Sequence, residues 1–203
     1  MIQLDPFYPI VPDTAWLKRL LPAGLKLVQV RIKDAPPETV RAEIVEALSL
    51  CGQADCQLVV NDYWQEAIEA GADFVHLGQE DLAGADLGSI RAADIRLGIS
   101  THSDEELATA LAAKPDYVAL GPIYPTLLKK MPWAPQGLDR VALWRSRLPC
   151  PLVAIGGITP DRAPAVFEAG ADSLAVITDI VTHAEPEKRT ETWMALTEAM
   201  RRR

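Results

Sequence analysis

Twice in the chain the same five residues lead into a short apolar run. Glu69-Ala70-Gly71-Ala72-Asp73 precedes Phe74-Val75-His76-Leu77, and Glu168-Ala169-Gly170-Ala171-Asp172 precedes Ser173-Leu174-Ala175-Val176. Each copy reads as a helix end, a glycine C-cap and entry into a strand. The unit around this joint recurs along the chain. Apolar runs over 7–11, 25–30, 57–60, 74–77, 96–99, 116–120, 151–155 and 173–176 alternate with segments of helical spacing. The runs are continuously apolar, as expected of parallel strands covered on both faces. Eight such units in 203 residues predict a single-domain α/β protein, a closed (β/α)8 TIM-type barrel spanning 1–203. An open doubly wound sheet is the competing architecture, but no run leads into a Gly-x-Gly-x-x-Gly turn.

Local signals set the finer expectations. Pro9 inside the first run removes a ladder donor and predicts a weak or irregular strand. Thr14 is a candidate cap for a helix over 15–21, with Gly24 as its stop. Helical spacing continues over 40–50, 63–70, 87–93, 138–147 and 185–200. Ser103 or Asp104 is expected to cap a helix ending near 112, and Pro160 to open one ending near 169. The longest irregular connection, Tyr124 to Gly137, is proline-rich, and long loops in compact domains tend to be functional or disordered. Trp16, Trp64, Trp144 and Trp193 fall on helices and read as packing, whereas Trp133 in the long loop is the tryptophan placed to meet a ligand.

Charge and cysteine content narrow the function classes. A net charge of −8 disfavours nucleic acid as a partner. Binding a phosphate therefore needs a local cluster of cations or a metal. Cys51, Cys56 and Cys150 form no Cys-x-x-Cys pair and have no histidine at zinc-finger spacing, so they read as reduced thiols of a cytoplasmic protein. No basic, apolar leader opens the chain and no run is long enough to span a bilayer.

In a parallel barrel, ligands bind where the strands end. Two consecutive runs each deliver an aspartate at that edge. Leu58-Val59-Val60 ends in Asn61-Asp62, and Phe74-Val75-His76-Leu77 ends in Gly78-Gln79-Glu80-Asp81. Asp62 and Asp81 facing one another would suit Mg2+, which takes one or two carboxylates and shares its remaining positions with water and substrate phosphate. The plainer reading makes Asp81 a helix cap and Asp62 a solvated loop residue. Arg31 and Lys33 alternate and so point the same way, a candidate diphosphate clamp. Gly156-Gly157 offers backbone N–H groups ahead of a helix start, where barrels bind a phosphate. Lys129 and Lys130 in the long loop are placed to close over an anion. His76, in an apolar strand, reads as a hydrogen-bonded core residue rather than a base. His102 sits at the rim or caps a helix, and His183 receives no role. No Ser-His-Asp or Cys-His arrangement is visible. The residues thus predict two anion pockets, one at strands two to six and one at strands seven and eight. Two anionic small molecules joined with loss of diphosphate would account for both, with catalysis by charge stabilisation and positioning.

From Phe7 to about Ile180 the strand ends resemble the thiamine phosphate synthase family. The shared stretches are Gln29-x-Arg31-x-Lys33, Asn61-Asp62, Val75-His76-Leu77-Gly78-Gln79-Glu80-Asp81 and Gly98-x-Ser100-x-His102. They continue with Gly121-Pro122-Ile123-Tyr124-Pro125-Thr126 followed by Lys129, and with Ala154-Ile155-Gly156-Gly157-Ile158-Thr159. Each is common alone, but together and in this order they are highly specific. The resemblance implies a transferase that joins hydroxymethylpyrimidine diphosphate to thiazole phosphate, giving thiamine phosphate and pyrophosphate. In that family the diphosphate leaves first, and the thiazole nitrogen attacks the resulting pyrimidine-stabilised cation. By motif, Asp62 and Asp81 would hold Mg2+. Gln29, Arg31, Lys33, Asn61, Ser100 and Lys129 would bind the pyrimidine diphosphate, with Arg31, Lys33, Ser100 and Lys129 serving catalysis. Thr126, Gly157, Ile177 and Thr178 would bind the thiazole phosphate, the last two largely through backbone.

The chain departs from the family pattern at several positions. Ile32 stands where an acid is usual, and Leu128 where a threonine is usual. Pro12 replaces a threonine, and Thr178 replaces a serine while keeping the hydroxyl. Met131-Pro132-Trp133-Ala134-Pro135 has no derived role. A related thiazole tautomerase has the same fold, but that group lacks the aspartate pair and carries histidine at the position of Pro122. A degenerate, non-catalytic binder of thiamine precursors is the other alternative. The expected partners are small phosphorylated molecules, with neither nucleic acid nor membrane, and a homo-oligomer is left open.

Overall fold

The computed structural model describes residues 2–126 and 133–201. Among them, eight parallel strands close into a barrel in chain order, with the last paired to the first. They are β1 Phe7–Val11, β2 Leu27–Val30, β3 Gln57–Asn61, β4 Phe74–Leu77, β5 Arg96–Thr101, β6 Tyr117–Leu120, β7 Leu152–Ile155 and β8 Ser173–Val176. The outer ring comprises α1 Thr14–Leu20, α2 Pro37–Gln53, α3 Trp64–Ala70, α4 Gln79–Gly84, α5 Leu87–Ala92, α6 Asp104–Ala112, α7 Gly137–Arg145, α8 Ala163–Glu168, α9 Thr178–Val181 and α10 Pro186–Arg201. No helix among the described residues is long and apolar enough to cross a membrane.

Strand parity sorts the side chains into two cores. Val28, Val30, Leu58, Val60, Val75, Leu77, Leu97, Ile99, Val118 and Leu120 point outward and bury under the helices. Tyr8, Ile10, Leu27, Val59, Phe74, Tyr117, Ala119, Val153 and Ala175 point inward and fill the barrel. This double coverage is why the runs are apolar at every position. Of the buried polar residues that share the inward parity, Gln29, Asn61 and His76 lie toward the strand ends and Ser173 at a strand start.

The repeated phrase does structural work at the opposite mouth. Gly71 adopts a left-handed φ of 76° as the C-cap of α3, which only glycine enters without strain. Asp172, at the end of the second copy, accepts the Leu152 N–H at 2.7 Å, and Asp116 accepts that of Leu97 at 2.8 Å. Each aspartate pairs a donor at the start of the neighbouring strand.

Several local expectations need correction. β1 is a regular, fully buried strand despite Pro9, because both neighbouring strands pair with it. Asp13, not Thr14, caps α1 by accepting the Trp16 N–H at 3.0 Å. Thr14 instead is buried, and its hydroxyl donates to Glu46. The helix expected over 87–93 is preceded by another, α4, which begins directly after Gly78. Gly156-Gly157 does not abut a helix, since α8 begins only at Ala163. Short α9 follows β8 directly, with no side-chain cap to mark it in the sequence. At α6 the cap is Ser103, accepting the Glu106 N–H at 3.2 Å.

α9 and α10 are tied together by one carboxylate. Asp179 accepts two bonds from Arg189, at 2.7 and 2.8 Å, and one from Trp193 Nε1 at 2.7 Å. The indole of Trp193 in turn stacks on Phe7 of β1, with centroids 5.4 Å apart. Arg201 grips Asp5 ahead of β1 through two further bonds. Asp179→Ala would leave a partly buried guanidinium and a buried indole N–H without their acceptor. A loss of about 2–3 kcal/mol is expected, a drop of roughly 5–10 °C in melting temperature for a chain of this size. Calorimetry on the variant checks this, and an unchanged melting temperature would show the cluster to be ornamental.

Candidate active site at the strand-end mouth

At the C-terminal mouth, β2 hands on to Arg31-Ile32-Lys33. The Arg31 N–H donates to Val11 O at 2.8 Å, which extends the β1–β2 pairing by one residue. The strand parity then aims Arg31 and Lys33 to one side and Ile32 to the other. Ile32 is buried in the outer core, so the usual acid missing at this position would not have faced the mouth. Lys33 is exposed.

β3 ends at Asn61, and Asp62 turns the chain toward α3 with a left-handed φ of 67°. Aspartate and asparagine tolerate this region better than most residues. The Asp62 N–H donates to His76 O at 2.9 Å, anchoring the turn to β4. Its carboxylate accepts the Asn61 amide and lies within hydrogen-bonding reach of Asp81. Burial and the neighbouring Asp81 push the Asp62 carboxyl up to about 6, against the lowering influence of Arg31. Asp81 is in the first turn of α4, whose cap is Gly78, so the plainer capping role is not the one it plays. A cation between the two carboxylates would remove their repulsion. Among the described residues, no cluster of three or more His, Cys, Asp or Glu side chains suits a metal. Two carboxylates with open remaining positions fit Mg2+ rather than a metal that needs a full protein cage.

On the strand next to β4, Ser100 lies near the end of β5. Its hydroxyl pairs with His76 Nε2 at 2.7 Å, and its carbonyl accepts the Gln79 amide at 2.6 Å. His76 also meets the Tyr117 hydroxyl through Nδ1 at 2.7 Å. Burial pushes the imidazole down to about 3, so it is neutral in the working range. The core reading of His76 holds. Gln29 Nε2 donates to the Tyr8 hydroxyl at 2.8 Å. His102 bonds Glu106 through backbone and ring and stacks on Trp133 with centroids 5.7 Å apart.

The loops after β6 and β7 are built against each other. Ile123 N donates to Ile155 O at 2.9 Å and Tyr124 N to Gly156 O at 3.0 Å. Gly156 and Gly157 both have positive φ, and a Cβ on Gly157 would lie 2.6 Å from Pro125 O. Glycine is required there because the loop carrying Thr126 passes directly overhead. Successive backbone N–H groups in a turn can form a concavity that suits an anion. Ile177 and Thr178, at the entrance to α9, lie on the adjacent strand end. Lys129, Lys130 and Leu128 lie outside the described residues.

The structure thus brings Gln29, Arg31, Asn61, Asp62, Asp81 and Ser100 to one part of the mouth, and Thr126, Gly157, Ile177 and Thr178 to another. Sequence reasoning missed Tyr8 and Tyr117. The available signal for Tyr117 was Gly98, a glycine inside a strand, which marks a close approach.

A sequence model of the family described as thiamine monophosphate synthase matches residues 8–180. A curated thiamine-phosphate synthase of Rhizobium etli is 60% identical over 197 residues, covering 97% of each chain. One from Salmonella newport is 51% identical over 179 residues, covering 88% of this chain and 85% of its own. The solved thiamine phosphate pyrophosphorylase of Pyrococcus furiosus superposes with a TM-score of 0.85 at 28% identity, covering 96% of both chains. Since the matched region takes in every strand end that forms the mouth, the chain belongs to the thiamine monophosphate synthase family.

Proposed function

We propose that the chain joins hydroxymethylpyrimidine diphosphate to thiazole phosphate, releasing pyrophosphate and forming thiamine phosphate. The observation that supports this reading is the meeting of two groups of residues at one mouth, each of a chemistry suited to an anion. One has the cation Arg31 beside the Asp62–Asp81 pair, and the other has Gly156-Gly157 beside the entrance to α9. The relatives named thiamine-phosphate synthase support the same assignment.

In this reading Asp62 and Asp81 hold Mg2+, which when bound neutralises charge on the departing diphosphate. Arg31, Lys33 and Lys129 contribute positive charge to the same oxygens, and Asn61 and Ser100 contribute hydrogen bonds. Gln29 binds the pyrimidine. The bond from the exocyclic carbon to the diphosphate oxygen breaks, and its electron pair leaves with pyrophosphate. The thiazole nitrogen then donates its lone pair to the pyrimidine-stabilised cation and forms the new C–N bond. Thr126, Gly157, Ile177 and Thr178 hold the thiazole phosphate so that this nitrogen faces the reacting carbon. No proton has to be removed before the bond breaks, and the buried, neutral His76 suits a site without a general base.

Purified protein given both substrates should form thiamine phosphate with Mg2+ and lose that activity in excess chelator. Aromatisation of the thiazole without Mg2+ or a pyrimidine substrate would point to the tautomerase. Binding of both ligands without turnover would point to a degenerate binder.

A further inference from the structure

Five side chains form a continuous hydrogen-bonded row through the barrel interior. Gln29 Nε2 lies 2.8 Å from the Tyr8 hydroxyl, and that hydroxyl lies 3.0 Å from the Tyr117 hydroxyl. Tyr117 lies 2.7 Å from His76 Nδ1, and His76 Nε2 lies 2.7 Å from Ser100 Oγ. The row joins β2, β1, β6, β4 and β5, so it crosses between strands that are not neighbours. Gln29, Tyr8, Tyr117 and His76 are all buried.

Giving every buried proton along the row a partner leaves one direction. The Gln29 amide nitrogen can only donate. Tyr8 therefore accepts from it, and the single Tyr8 proton goes to Tyr117. Tyr117, having accepted, sends its own proton to His76 Nδ1. Both phenols keep their protons, because burial pushes their ionisation well upward. The neutral imidazole then carries its proton on Nε2 and donates to Ser100 Oγ. With its nitrogen held at Tyr8, the Gln29 amide keeps its carbonyl oxygen, an acceptor, on the opposite side and one further N–H on the nitrogen side, so the places of acceptor and donor are fixed. The remaining proton of Ser100 is a donor.

We propose that Tyr8, Tyr117 and His76 are positioning residues, a one-way hydrogen-bond relay that makes Gln29 present an acceptor and Ser100 present a donor to the substrate. The proposal rests on the function given above, in which both end residues meet the pyrimidine diphosphate. That molecule has the matching polarity, with an exocyclic amine that donates and diphosphate oxygens that accept. Reversing the row would give acceptor against acceptor at one end or donor against donor at the other. The relay therefore selects an aminopyrimidine over an oxopyrimidine at a residue, Gln29, whose amide would otherwise turn to suit either.

Two experiments test this. The first is 15N NMR of the imidazoles in free wild-type protein near neutral pH, with His76 assigned by loss of its signals in His76→Gln. The relay requires the neutral tautomer protonated on Nε2. A neutral tautomer protonated on Nδ1, or a charged ring, overturns it. This readout needs no substrate, so it stands apart from the assignment of function. The second compares affinity for hydroxymethylpyrimidine diphosphate with that for its analogue bearing an oxo group in place of the amine. Tyr8→Phe releases the Gln29 amide and should reduce the preference for the amine by about tenfold or more, the size expected when a mismatched buried pair is relieved. A purely structural role for Tyr8 would weaken both ligands in proportion, and an unchanged ratio overturns the relay. Tyr117→Phe, which interrupts the row one position further on, should lower the same ratio. If wild-type protein does not bind the aminopyrimidine, the functional reading fails, and the tautomer measurement still decides the relay.

Discussion

Asp62→Asn and Asp81→Asn are each expected to remove Mg2+-dependent synthesis while leaving the melting temperature unchanged or slightly raised. The two carboxylates are within hydrogen-bonding reach, and burial together with Asp81 raises the Asp62 carboxyl to about 6. Folding without a cation therefore works against this pair. Neutralising either partner relieves the repulsion, whereas in the proposed mechanism losing the metal would forfeit several kcal/mol of charge stabilisation, about a thousandfold or more in rate. Asparagine is the informative substitution because Asp62 holds a φ of 67°. Asparagine enters that region readily, while alanine would add backbone strain to the loss of charge. Steady-state assays with varied Mg2+ and a thermal melt on the same samples check both halves. A variant that keeps full activity would remove the pair from the mechanism, and one that melts well below wild type would make it a structural feature.

Gly98→Ala is expected to be the most damaging single-methyl change in the barrel. A Cβ on Gly98 would lie 2.1 Å from Tyr117 Cζ and 2.5 Å from its hydroxyl. The ring has no route of retreat. It stacks on His76 at 5.5 Å and meets Phe74 and Tyr8 edge-on at 5.6 and 6.1 Å. Overpacking of this kind costs about 1–3 kcal/mol, and displacing the buried hydroxyl from its two partners adds a similar amount. The sum corresponds to a fall of roughly 10 °C in melting temperature. Because the cause is one contact, the loss should be strongly non-additive with a smaller residue at 117. Gly98→Ala combined with Tyr117→Leu should melt closer to Tyr117→Leu alone than the two single losses would allow. Strict additivity would refute the steric account, as would a Gly98→Ala variant with wild-type stability.

The chain is an enzyme of the thiamine monophosphate synthase family, and much of its architecture was legible beforehand. Residues 74–77 and 173–176 were read as strands with the bounds the structure has. Short apolar runs opened by Gly-Ala-Asp joints leave little alternative. The aspartates and cations at the strand ends were also legible, because a parallel barrel sends every strand end to one mouth. Helix boundaries were less so. Thr14 looked like a cap, but Glu46 of α2, far away in sequence, takes its hydroxyl, and the cap falls to Asp13. Gly156-Gly157 was read at the end of β7, where it lies, but wrongly beside a helix start. What packs against it is instead the backbone overhead, at Tyr124 and Pro125.

The departures from the family pattern divide in the same way. That Ile32 replaces an acid is visible in the sequence. That the replacement faces the helices rather than the mouth is settled by strand parity in the folded barrel. The sequence by itself determined the alternation of units, the closed parallel sheet and the ring of polar residues at its end, since periodicity and glycine stops are local properties of the chain. Only the tertiary structure decided how those residues are oriented. The Asp62–Asp81 repulsion, the ring of Tyr117 over Gly98 and the row from Gln29 to Ser100 join residues 19 to 109 positions apart. Strand closure brings such residues together at bonding distance, where direction, burial and charge are set by neighbours that linear spacing does not reveal.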